Sequence, residues 1–522
     1  MRTMNWTIGM TGVLAVAFLP YVGGCFFTAL VDCEHDLVCS GAGGGGMSSS
    51  STTSTSTSTG GTGGTPINCI PSADLKTELD ASCGVFVSAT GDDGATGTQE
   101  KPVQSLKQAM TLALGGKKRI YACAEEFAGA VELPAGLTVY GGLDCSKTPR
   151  SWLYVGDKTK TTITADAEEV PLTLASGKGT KLFDLHVLAK AAVNAGGSSI
   201  ALVADHASAE ISGCLFEAGD GQAGAQGKPY ASAAAAGATG VQGGDACSMN
   251  TVAGGDPVSS LCGTPDSSSG LGGSGTSVSG GNGSSGLPDG SMNFGAGEGG
   301  SACTTGKKGN DGIPGIPGPG ATGLGAIAKD GFSGVIGTPG VLGPPGQGGG
   351  GGGGAKGGIG VGKCLAAGMA GGAAGGSGGS GGCGGAGGKG GNPGGSSIAL
   401  LSLGSTLTFA AVMLTTGKGG NGGDGGPGQD GGNGGTQGAG GTVVGMNGLN
   451  PGCAGGPGGL GGTGGTGGGG IGGHSIAIAF TGAEPPKSGW MATTGPFGAG
   501  GLGGNAASAG APGVKANTQV FQ

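Results

Sequence analysis

The sequence contains little of what nucleic-acid-binding proteins and most globular enzymes depend on. Aromatic residues make up 4% and charged residues 11% of its 522 residues, and the formal net charge is −8. Only three arginines occur, Arg2, Arg119 and Arg150. Because binding to a phosphate backbone depends on clustered Lys and Arg side chains, we expect no nucleic acid partner.

The sequence patterns of common metal and catalytic centres are also missing. No Cys-x-x-Cys spacing occurs, and the four histidines, His35, His186, His206 and His474, are scattered along the chain. There is no phosphate-binding loop, dinucleotide fingerprint or Ser-His-Asp pattern. We therefore expect no cofactor, with calcium as the one alternative.

Glycine, in contrast, is abundant, with 138 of the 522 residues against a usual share of about 7%. Apolar residues still reach 36%, and they concentrate before Ala218 and in two later islands. We therefore expect one hydrophobic core to which long glycine-rich segments are attached.

The N-terminal segment is typical of an exported protein. One positive charge precedes the apolar stretch Thr7–Val22, which is too short and too glycine-interrupted for a confident membrane span. It ends in Val22-Gly23-Gly24-Cys25, which resembles a bacterial lipobox, whose cysteine is acylated. We expect a lipid anchor at Cys25, in a protein exposed on the bacterial cell envelope. An ordinary signal peptide cleaved nearby, or an uncleaved anchor, is the alternative.

Fourteen cysteines in an exported chain indicate disulfides. Without Cys25 thirteen remain, so at least one is free or pairs with another chain. Local pairs Cys33–Cys39, Cys69–Cys83 and Cys123–Cys145 fit the spacing, although spacing alone fixes no connectivity.

The folded part is expected to begin near Ile67, after a Ser/Thr/Gly-rich linker. Val85 and Val87 alternate as in a strand, a Gly/Asp turn follows, and Pro102 opens a stretch whose apolar residues have helical spacing. Short strands are then predicted at Ile120–Ala122 and Leu137–Tyr140, with a further one at Ala130–Leu133.

Residues 85–142 resemble the start of right-handed parallel β-helix proteins of the pectin-lyase-like superfold. Their usual Gly-x-Tyr is replaced here by Glu125–Phe127. The resemblance implies an N-terminal capping helix below a solenoid but no particular activity, because this fold carries many functions. The matching residues are Gly91, Asp92, Asp93, Gly94, Gly97, Thr98, Pro102, Ser105, Leu106, Ala109, Val131, Leu133, Gly136, Leu137, Val139, Gly141 and Gly142.

Short β-branched stretches continue this pattern at Thr161–Ala165, Leu172–Leu174, Leu182–Leu188 and Ser199–Val203. No helical stretch interrupts them. Since one rung of a solenoid cannot bury its apolar face alone, neighbouring rungs must stack. The predicted fold class is all-β, a right-handed parallel β-helix solenoid with long glycine-rich loops extruded between rungs.

The phrase GGSSIAL occurs twice, and a related phrase follows later. The segments Gly196–Gly221, Gly394–Gly419 and Gly472–Phe497 align without gaps, and apolar positions stay apolar. This is how the core positions of equivalent rungs behave, so we expect three equivalent rungs from which glycine segments leave on the same side. The aligned apolar sets are Ile200, Ile398 and Ile476; Leu202, Leu400 and Ile478; and Cys214, Val412 and Trp490.

The glycine segments have their own three-residue period. Gly-Gly-X runs in Gly375–Gly395, Gly419–Thr436 and Gly455–Gly468 suit polyglycine II, an extended helix with three residues per turn that packs against its neighbours. Gly312–Gly320 and Gly331–Gly346 resemble collagen triplets, and the composition resembles PE-PGRS-type surface proteins. Plain disorder is the remaining alternative.

These patterns divide the chain into eight expected regions. They are a signal peptide (1–24), a lipidated cysteine and linker (25–66), the first part of the β-helix (67–225), a glycine-rich excursion (226–393), a rung (394–417), a second excursion (418–471), a last rung (472–497) and a glycine-rich tail (498–522).

Few residues are candidates for chemistry. Asp424 lies in a partial match to a calcium-binding nonapeptide, but Gly426 occupies the position of its large aliphatic residue. The weak candidates for a polar site are Asp184, His186, Asp205 and His206. Trp152 and Trp490 could stack on a sugar ring, although Trp490 aligns with core positions.

The sequence therefore predicts a non-enzymatic cell-surface lipoprotein, in which a β-helix displays glycine-rich loops for adhesion, matrix contact or envelope structure. Its expected partners are a membrane, through the lipid anchor, and a polysaccharide or extracellular matrix. The alternative is a lyase or hydrolase acting on polysaccharide, which would need clustered carboxylates on one face. An ice- or mineral-binding surface is a third hypothesis.

Overall fold

Parallel β-sheets dominate the computed structural model, which describes residues 69–72, 79–263, 265–288, 290–445 and 447–522. These residues belong to one compact unit, Thr65–Gln522. The predicted signal peptide, Cys25, the whole linker and the Cys33–Cys39 pair lie outside the described residues. No described helix is long and apolar enough to cross a bilayer.

The described chain contains one α-helix, α1 (Leu106–Leu114), and short 3-10 turns at Ala367–Met369 and Ala506–Ser508. The strands are β1 (Val85–Val87), β2 (Arg119–Cys123), β3 (Glu126–Ala128), β4 (Val131–Leu133), β5 (Thr138–Asp144), β6 (Leu153–Tyr154), β7 (Thr161–Thr164), β8 (Leu172–Leu174), β9 (Gly177–Phe183), β10 (Leu185–Ala189), β11 (Ser199–Asp205), β12 (Ala207–Ser212), β13 (Leu215–Ala218), β14 (Thr251–Val252), β15 (Ser259–Ser260), β16 (Ser267–Ser268), β17 (Gly275–Thr276), β18 (Ala326–Ala328), β19 (Gly331–Ser333), β20 (Ser397–Leu403), β21 (Thr406–Ala410), β22 (Val412–Thr416), β23 (Ser475–Thr481), β24 (Trp490–Thr493) and β25 (Lys515–Val520).

Three large sheets hold most of these strands. Sheet A has the order β1-β2-β5-β9-β12-β21, sheet B β24-β22-β13-β10-β7-β3, and sheet C β25-β23-β20-β11-β8-β4. Pairing in these sheets is parallel, except that β6 pairs antiparallel with β5. The chain visits the sheets in rotation: β11, β12 and β13 lie in sheets C, A and B, and β20, β21 and β22 repeat that order.

The hydrophobic core lies between the three sheets, where equivalent residues of successive rungs stack. Leu202 pairs with Leu172 on one side and with Leu400 on the other, and Leu400 pairs with Ile478. All four side chains are buried. The gapless alignment of the three repeats is therefore confirmed as a stack of equivalent strands. Burial of such a ladder is the main stabilising contribution that a solenoid rung obtains from its neighbours.

Helix α1 begins and packs as its sequence predicts. The Ser105 side chain accepts a hydrogen bond from the Gln108 amide at 3.1 Å, which satisfies one of the free N–H groups of the first turn. Leu106, Ala109 and Ala113 are buried against the core, and the helix contacts β1 and β2 at the start of the stack. An amphipathic helix in this place covers apolar surface that a further rung would otherwise bury.

Left-handed residues form the corners between sheets. Asp184, Gly213 and Ala411 have φ values of 54°, 63° and 52° between sheets A and B. His206 and Gly404 have φ values of 49° and 57° between sheets C and A. A strand cannot continue through such a conformation. The predicted single strand over Leu182–Leu188 is therefore wrong, since the chain turns at Asp184.

The last rung ends sheet A differently. By the repeat alignment, the segment opposite β21 is Glu484–Ser488, which contains Pro485 and Pro486. It forms no strand, because proline has no N–H to donate to a neighbouring strand. Pro485 is nevertheless buried. We conclude that this segment covers the end of sheet A and stops further pairing there.

The glycine segments are ordered by hydrogen bonds between segments. Residues 374–395, here called the central segment, are in contact with five other stretches of the chain, and successive residues donate to different neighbours. This fits a helix with three residues per turn, and it favours polyglycine II over plain disorder. Three consecutive bonds are Ser377 N to Val241 O (2.9 Å), Gly378 N to Gly270 O (3.0 Å) and Gly379 N to Gly456 O (3.0 Å), while the O atoms of Ser377 and Gly379 accept from Gly438 N (2.9 Å) and Gly349 N (2.8 Å).

The neighbouring segments keep the same three-residue period. Residues 376–394 donate to 453–471 at every third position, and the collagen-like stretch 306–321 donates to 454–469 in the same way. The collagen-like triplets thus bond within this chain. We call the whole assembly, which comprises residues 219–395, 417–473 and 495–513, the glycine bundle.

Glycine is required where two segments touch. A Cβ atom built on Gly382 would collide with the carbonyl oxygen of Gly432, and one on Gly390 with that of Gly337. The segments can therefore bond to each other only because a hydrogen replaces the side chain. The third residue of a triplet faces outwards on the outer segments, as Asn433 and Thr436 do. In the central segment the third residues Ser377 and Ser380 are buried.

Side-chain oxygens accept hydrogen bonds from backbone N–H groups that have no backbone partner on a neighbouring glycine segment. Asp and Asn side chains in third positions accept hydrogen bonds from the N–H of the residue beside them on the next segment, which links neighbouring segments laterally. Such bonds run from Lys418 N to Asp220 (2.7 Å), Thr442 N to Asp245 (2.7 Å), Leu460 N to Asp311 (2.7 Å), Ala499 N to Asn421 (3.0 Å) and Leu502 N to Asp424 (2.7 Å).

Five disulfides join the described residues. Cys69–Cys83 and Cys123–Cys145 confirm two predicted local pairs. The others, Cys247–Cys364, Cys262–Cys383 and Cys303–Cys453, each close long loops within the glycine bundle. So many disulfides indicate an oxidising, extracellular environment.

Candidate functional site

The four weak polar candidates lie in three separate places. Asp184 and His206 occupy left-handed corners, where Asp and His are tolerated better than branched residues. His186 lies on the outer face of sheet B and Asp205 at the end of β11. The left-handed corners explain why Asp184 and His206 are found at these positions, and no catalytic role is needed to explain them.

Asp184 is bonded to two residues that lie 24 and 30 positions earlier in the chain, on β6 and just before β7. Its carboxylate accepts hydrogen bonds from the Tyr154 hydroxyl at 3.0 Å and from Lys160 Nζ at 3.3 Å. Burial raises the pKa of Tyr154, and the negative charge of Asp184 raises it further. Tyr154 therefore stays protonated and donates, so the arrangement is a charged structural cluster at the corner.

The two histidines have one acidic partner each. His186 Nε2 lies 3.0 Å from Glu217 Oε2 on the next strand, and His206 Nδ1 lies 2.7 Å from Asp205 Oδ1. Such pairs can carry a proton, but the carboxylates of the two pairs do not converge. In the ranges that the structure describes, no three His, Cys, Asp or Glu residues group as a metal site would need.

Asp424 is engaged in the glycine bundle. One carboxylate oxygen accepts from Leu502 N at 2.7 Å, and the other accepts from Gln226 Nε2 at 3.3 Å. The carboxylate thus links three neighbouring segments. A calcium ion there would have to compete with both donors, and calcium needs six or more oxygen ligands. The calcium site stays a prediction.

The two candidate tryptophans, Trp152 and Trp490, pack against other residues of the protein. Trp152 is buried and packs edge-on against Phe86, with ring centroids 4.8 Å apart. Trp490 is half-buried against the core, and its indole N–H donates to Pro486 O at 2.6 Å. The core role that the alignment gives Trp490 fits this packing.

One buried thiol is free in the described chain. Cys214 lies in the core on the side facing sheet B, and burial raises the pKa of its thiol to about 12. A thiol with so high a pKa is not a nucleophile at neutral pH.

A polar cavity of about 650 Å³ opens beside the disulfide Cys123–Cys145. Arg150 lines it and donates to the Thr90 hydroxyl at 2.7 Å. The sequence analysis missed this cavity, because a loop after β5 and the turn after β1 meet there only in the folded chain. It holds Glu100 but no second carboxylate.

The end of the glycine bundle farthest from the sheets is the most unusual surface. One end of the central segment, Gly395, lies just before β20 and therefore next to the sheets. The other end, Ala374, is hydrogen-bonded to Gly244. At about 3.1 Å per residue, the central segment spans roughly 65 Å. Three loops meet beyond it, at residues 247–250, 356–370 and 443–448 with Met446 outside the described residues.

These three loops, here called the distal tip, are held together by covalent and hydrogen bonds. The disulfide Cys247–Cys364 joins two of them, and Gly448 N donates to Gly362 O at 2.9 Å. A small buried cluster with Ala373 and Leu449 lies beneath. The distal tip is therefore a fixed structure, and the glycine bundle holds it away from the sheets.

The distal tip and the dispersed polar pairs give no single catalytic constellation, and relatives offer no further guide. Comparison with family models, with curated proteins and with solved structures finds no match for this chain.

Proposed function

We propose that the chain is a non-enzymatic, lipid-anchored protein of the bacterial cell surface. In this proposal a right-handed parallel β-helix forms the base, and the glycine bundle is a stiff projection that displays its faces and its distal tip to the surroundings. The expected partners are the membrane, through acylated Cys25, and a polysaccharide or matrix component.

The observation that carries the proposal is the continuity between sheets and bundle. Strands β13 and β22 pair in parallel, and the segments that leave them stay paired, with Gly221 N bonded to Lys418 O and Gly224 N to Asn421 O. Because no hinge separates base from bundle along these segments, a force or a ligand at the far end acts on the whole molecule. A projection of this kind suits display and adhesion.

The N-terminal sequence supports an anchored location. The lipobox-like Val22–Cys25 follows an apolar stretch, and the Ser/Thr/Gly-rich linker after it would separate the base from the membrane by a flexible tether. Disulfides in the described residues fit an exported protein. One acyl group gives marginal binding, so stable anchoring needs the several chains of a lipoprotein.

Anchoring is tested in cells. The wild-type chain is expected in the membrane fraction with acyl chains on Cys25, and a Cys25→Ser variant is expected to lose both the acyl mass and membrane retention. Protease added to intact cells should cleave the wild-type linker if the protein faces outwards. A wild-type chain without acyl groups would contradict the lipid anchor.

The display role is tested against the enzymatic alternative. The purified protein is incubated with a panel of bacterial and plant polysaccharides, with and without calcium, and polymer length is followed. Retention of a polymer without shortening supports adhesion. Shortening of any polymer contradicts the proposal, and the candidates for variation would then be Asp184, His186, Asp205 and His206.

A further inference from the structure

The distal tip exposes aliphatic side chains to an extent that is rare in a soluble protein. Val361 is fully exposed, Leu365 is 97% exposed and Val444 is 81% exposed. Met249, Ile359 and Met369 are also at least half exposed. Leu365, Met369 and Val444 line one shallow cavity. Grouped apolar side chains that stay exposed in the folded chain are typical of a contact site.

The apolar side chains are presented by a fixed scaffold. Cys247 N donates to Gly371 O at 2.9 Å, and Gly371 N donates to Met249 O at 2.8 Å, in addition to the disulfide Cys247–Cys364. Leu365, Met369 and Val444 border a shallow cavity of about 420 Å³. Since the loops cannot fold back to bury these side chains without breaking such bonds, the exposure is a property of the folded state.

The charge of the loops matches an anionic surface. Among residues 247–250, 356–370 and 443–448, the only charged side chains are Lys356 and Lys363. Neither forms an ion pair within the described chain. Two carboxylates border the loops, and both accept hydrogen bonds from neutral groups. Glu298 accepts from the Lys356 backbone N–H (2.9 Å) and from Asn450 (2.8 Å), and Asp245 accepts from the Thr442 N–H (2.7 Å) and hydroxyl (2.8 Å). The side chains of the distal tip itself therefore carry only positive charge, in a chain whose net charge is −8.

The residue types favour lipid over protein as the partner. Protein hot spots are enriched in Trp, Tyr and Arg, and the three loops contain none of them. Aliphatic side chains flanked by lysines are the composition that inserts into the boundary of a bilayer whose headgroups are negative. We propose that the distal tip binds an anionic lipid surface by inserting Val361, Leu365 and Val444.

This inference goes beyond the proposed function, because it does not need the lipid anchor. If both hold, the molecule has two independent contacts with lipid, one through Cys25 and one through the distal tip. If only one holds, the two tests separate them, since acylation of Cys25 and binding by the distal tip are measured on different variants.

The test is vesicle flotation with the full chain carrying Cys25→Ser, which removes the acylation site. Vesicles contain phosphatidylcholine alone or phosphatidylcholine with phosphatidylglycerol at about 3:1. We expect binding to the anionic vesicles, and Val361→Asp with Leu365→Asp should lower the bound fraction about tenfold or more, because two side chains no longer leave water. Lys356→Gln with Lys363→Gln should abolish the preference for phosphatidylglycerol.

A matched control uses other exposed aliphatic residues. Ile313 and Ile316 are 72% and 70% exposed on the side of the glycine bundle, so Ile313→Asp with Ile316→Asp should leave binding within about twofold of the parent. All variants share the N-terminal apolar stretch, so differences between them report the distal tip. Detection of the Cys247–Cys364 bond by peptide mass confirms that the loops are folded.

Three results would overturn the inference. They are equal flotation of the parent and the Val361→Asp, Leu365→Asp variant; equal loss with the Ile313→Asp, Ile316→Asp control; and no flotation of the parent with either vesicle type. The last result would point to a protein partner for the distal tip.

Discussion

The hydroxyl of Ser198 accepts a hydrogen bond of 2.9 Å from the amide of Ser396, 198 residues later in the chain. The same separation recurs between Gln226 and Asp424, inside the glycine bundle. A separation of 78 residues likewise joins Ser396 to His474 and Asp424 to Leu502. The sheets and the glycine segments therefore share one register. A substitution that shifts the register in one of them should destabilise the other as well.

Gly382→Ala tests whether glycine is obligatory inside the bundle. The new Cβ would collide with the carbonyl oxygen of Gly432, which is backbone and cannot move aside without breaking its segment. We expect a loss of about 2 kcal/mol or more in the free energy of unfolding, measured by denaturant titration, as for other overpacked sites.

Gly300→Ala is the matched control for that substitution. A Cβ on Gly300 meets nothing within 4 Å, so its stability should change by less than about 0.5 kcal/mol. Equal effects of Gly382→Ala and Gly300→Ala would mean that the segments in solution are not packed as described.

The sequence predicted the part of this fold that side chains specify. The stack of Leu202, Leu400 and Ile478, the position of α1 and two disulfides follow from apolar periodicity and spacing. These features were accessible because one face of each strand must be apolar, and a change of register by one residue would expose it.

The arrangement of the glycine segments could not be predicted in the same way. A glycine helix presents similar backbone groups on every side, so its sequence hardly specifies which neighbour it takes. The partners of the central segment, and the pairing Cys262–Cys383, depend on the lengths of the excursions and on where the chain leaves β13 and β22. The short antiparallel hairpin β18–β19, which covers Ile200 and Ile398 with Phe332, was missed for the same reason.

The prediction that Asp184 and His186 form part of one polar site assumed a continuous strand, which the structure does not contain. Asp184 and His186 would share a face of a continuous strand, but the left-handed turn at Asp184 directs the two side chains to different places. The two side chains are separated by the left-handed conformation of Asp184, which cannot be read from the identity of the residue alone. The distal tip was overlooked because its aliphatic residues are dispersed over three loops in sequence.

Asp184→Ala tests the structural role of that residue. Alanine would lose the hydrogen bonds of Tyr154 and Lys160 and would adopt the left-handed conformation at a cost. We expect a loss of about 2 kcal/mol in the free energy of unfolding. Asp184→Asn keeps an acceptor and tolerates the conformation, so it should lose less than half as much. Equal losses, or altered processing of a polysaccharide, would argue for a chemical role instead.

The thiol of Cys214 should be inert in the folded protein. Burial holds its pKa at about 12, and the thiolate is the form that reacts with alkylating reagents. Iodoacetamide at pH 8 should therefore leave the Cys214 peptide unmodified until denaturant is added, as read by mass spectrometry. Cys214→Val should fold with a stability change below about 1.5 kcal/mol, because Val412 fills the equivalent position one rung later. Rapid alkylation without denaturant would show that the core opens at this rung.

His474 should make the stability of the protein fall as the pH drops below the ordinary histidine pKa of 6.5. Its ring is fully buried, accepts from Val514 N at 2.9 Å through Nδ1 and donates to Leu324 O at 2.8 Å through Nε2, so the folded state needs the neutral form. Burial lowers the pKa of His474 below its ordinary value of 6.5. The unfolded chain therefore takes up the proton first, and the stabilising contribution, complete above pH 6.5, is lost as the pH falls towards the folded pKa.

The measurement is the free energy of unfolding at pH 7.5, 6.5 and 5.5 for the wild type and two variants. His474→Gln removes the titrating ring, so it should be less stable than the wild type at pH 7.5 and should lose less stability between pH 7.5 and 5.5. His206→Gln is the matched control at an exposed corner and should keep the wild-type pH dependence, because its ring is 70% exposed and is not part of the core. If His474→Gln kept the wild-type dependence of stability on pH, that dependence would belong to other groups. The contact between the hairpin β18–β19 and strand β25 would then not depend on the neutral imidazole of His474.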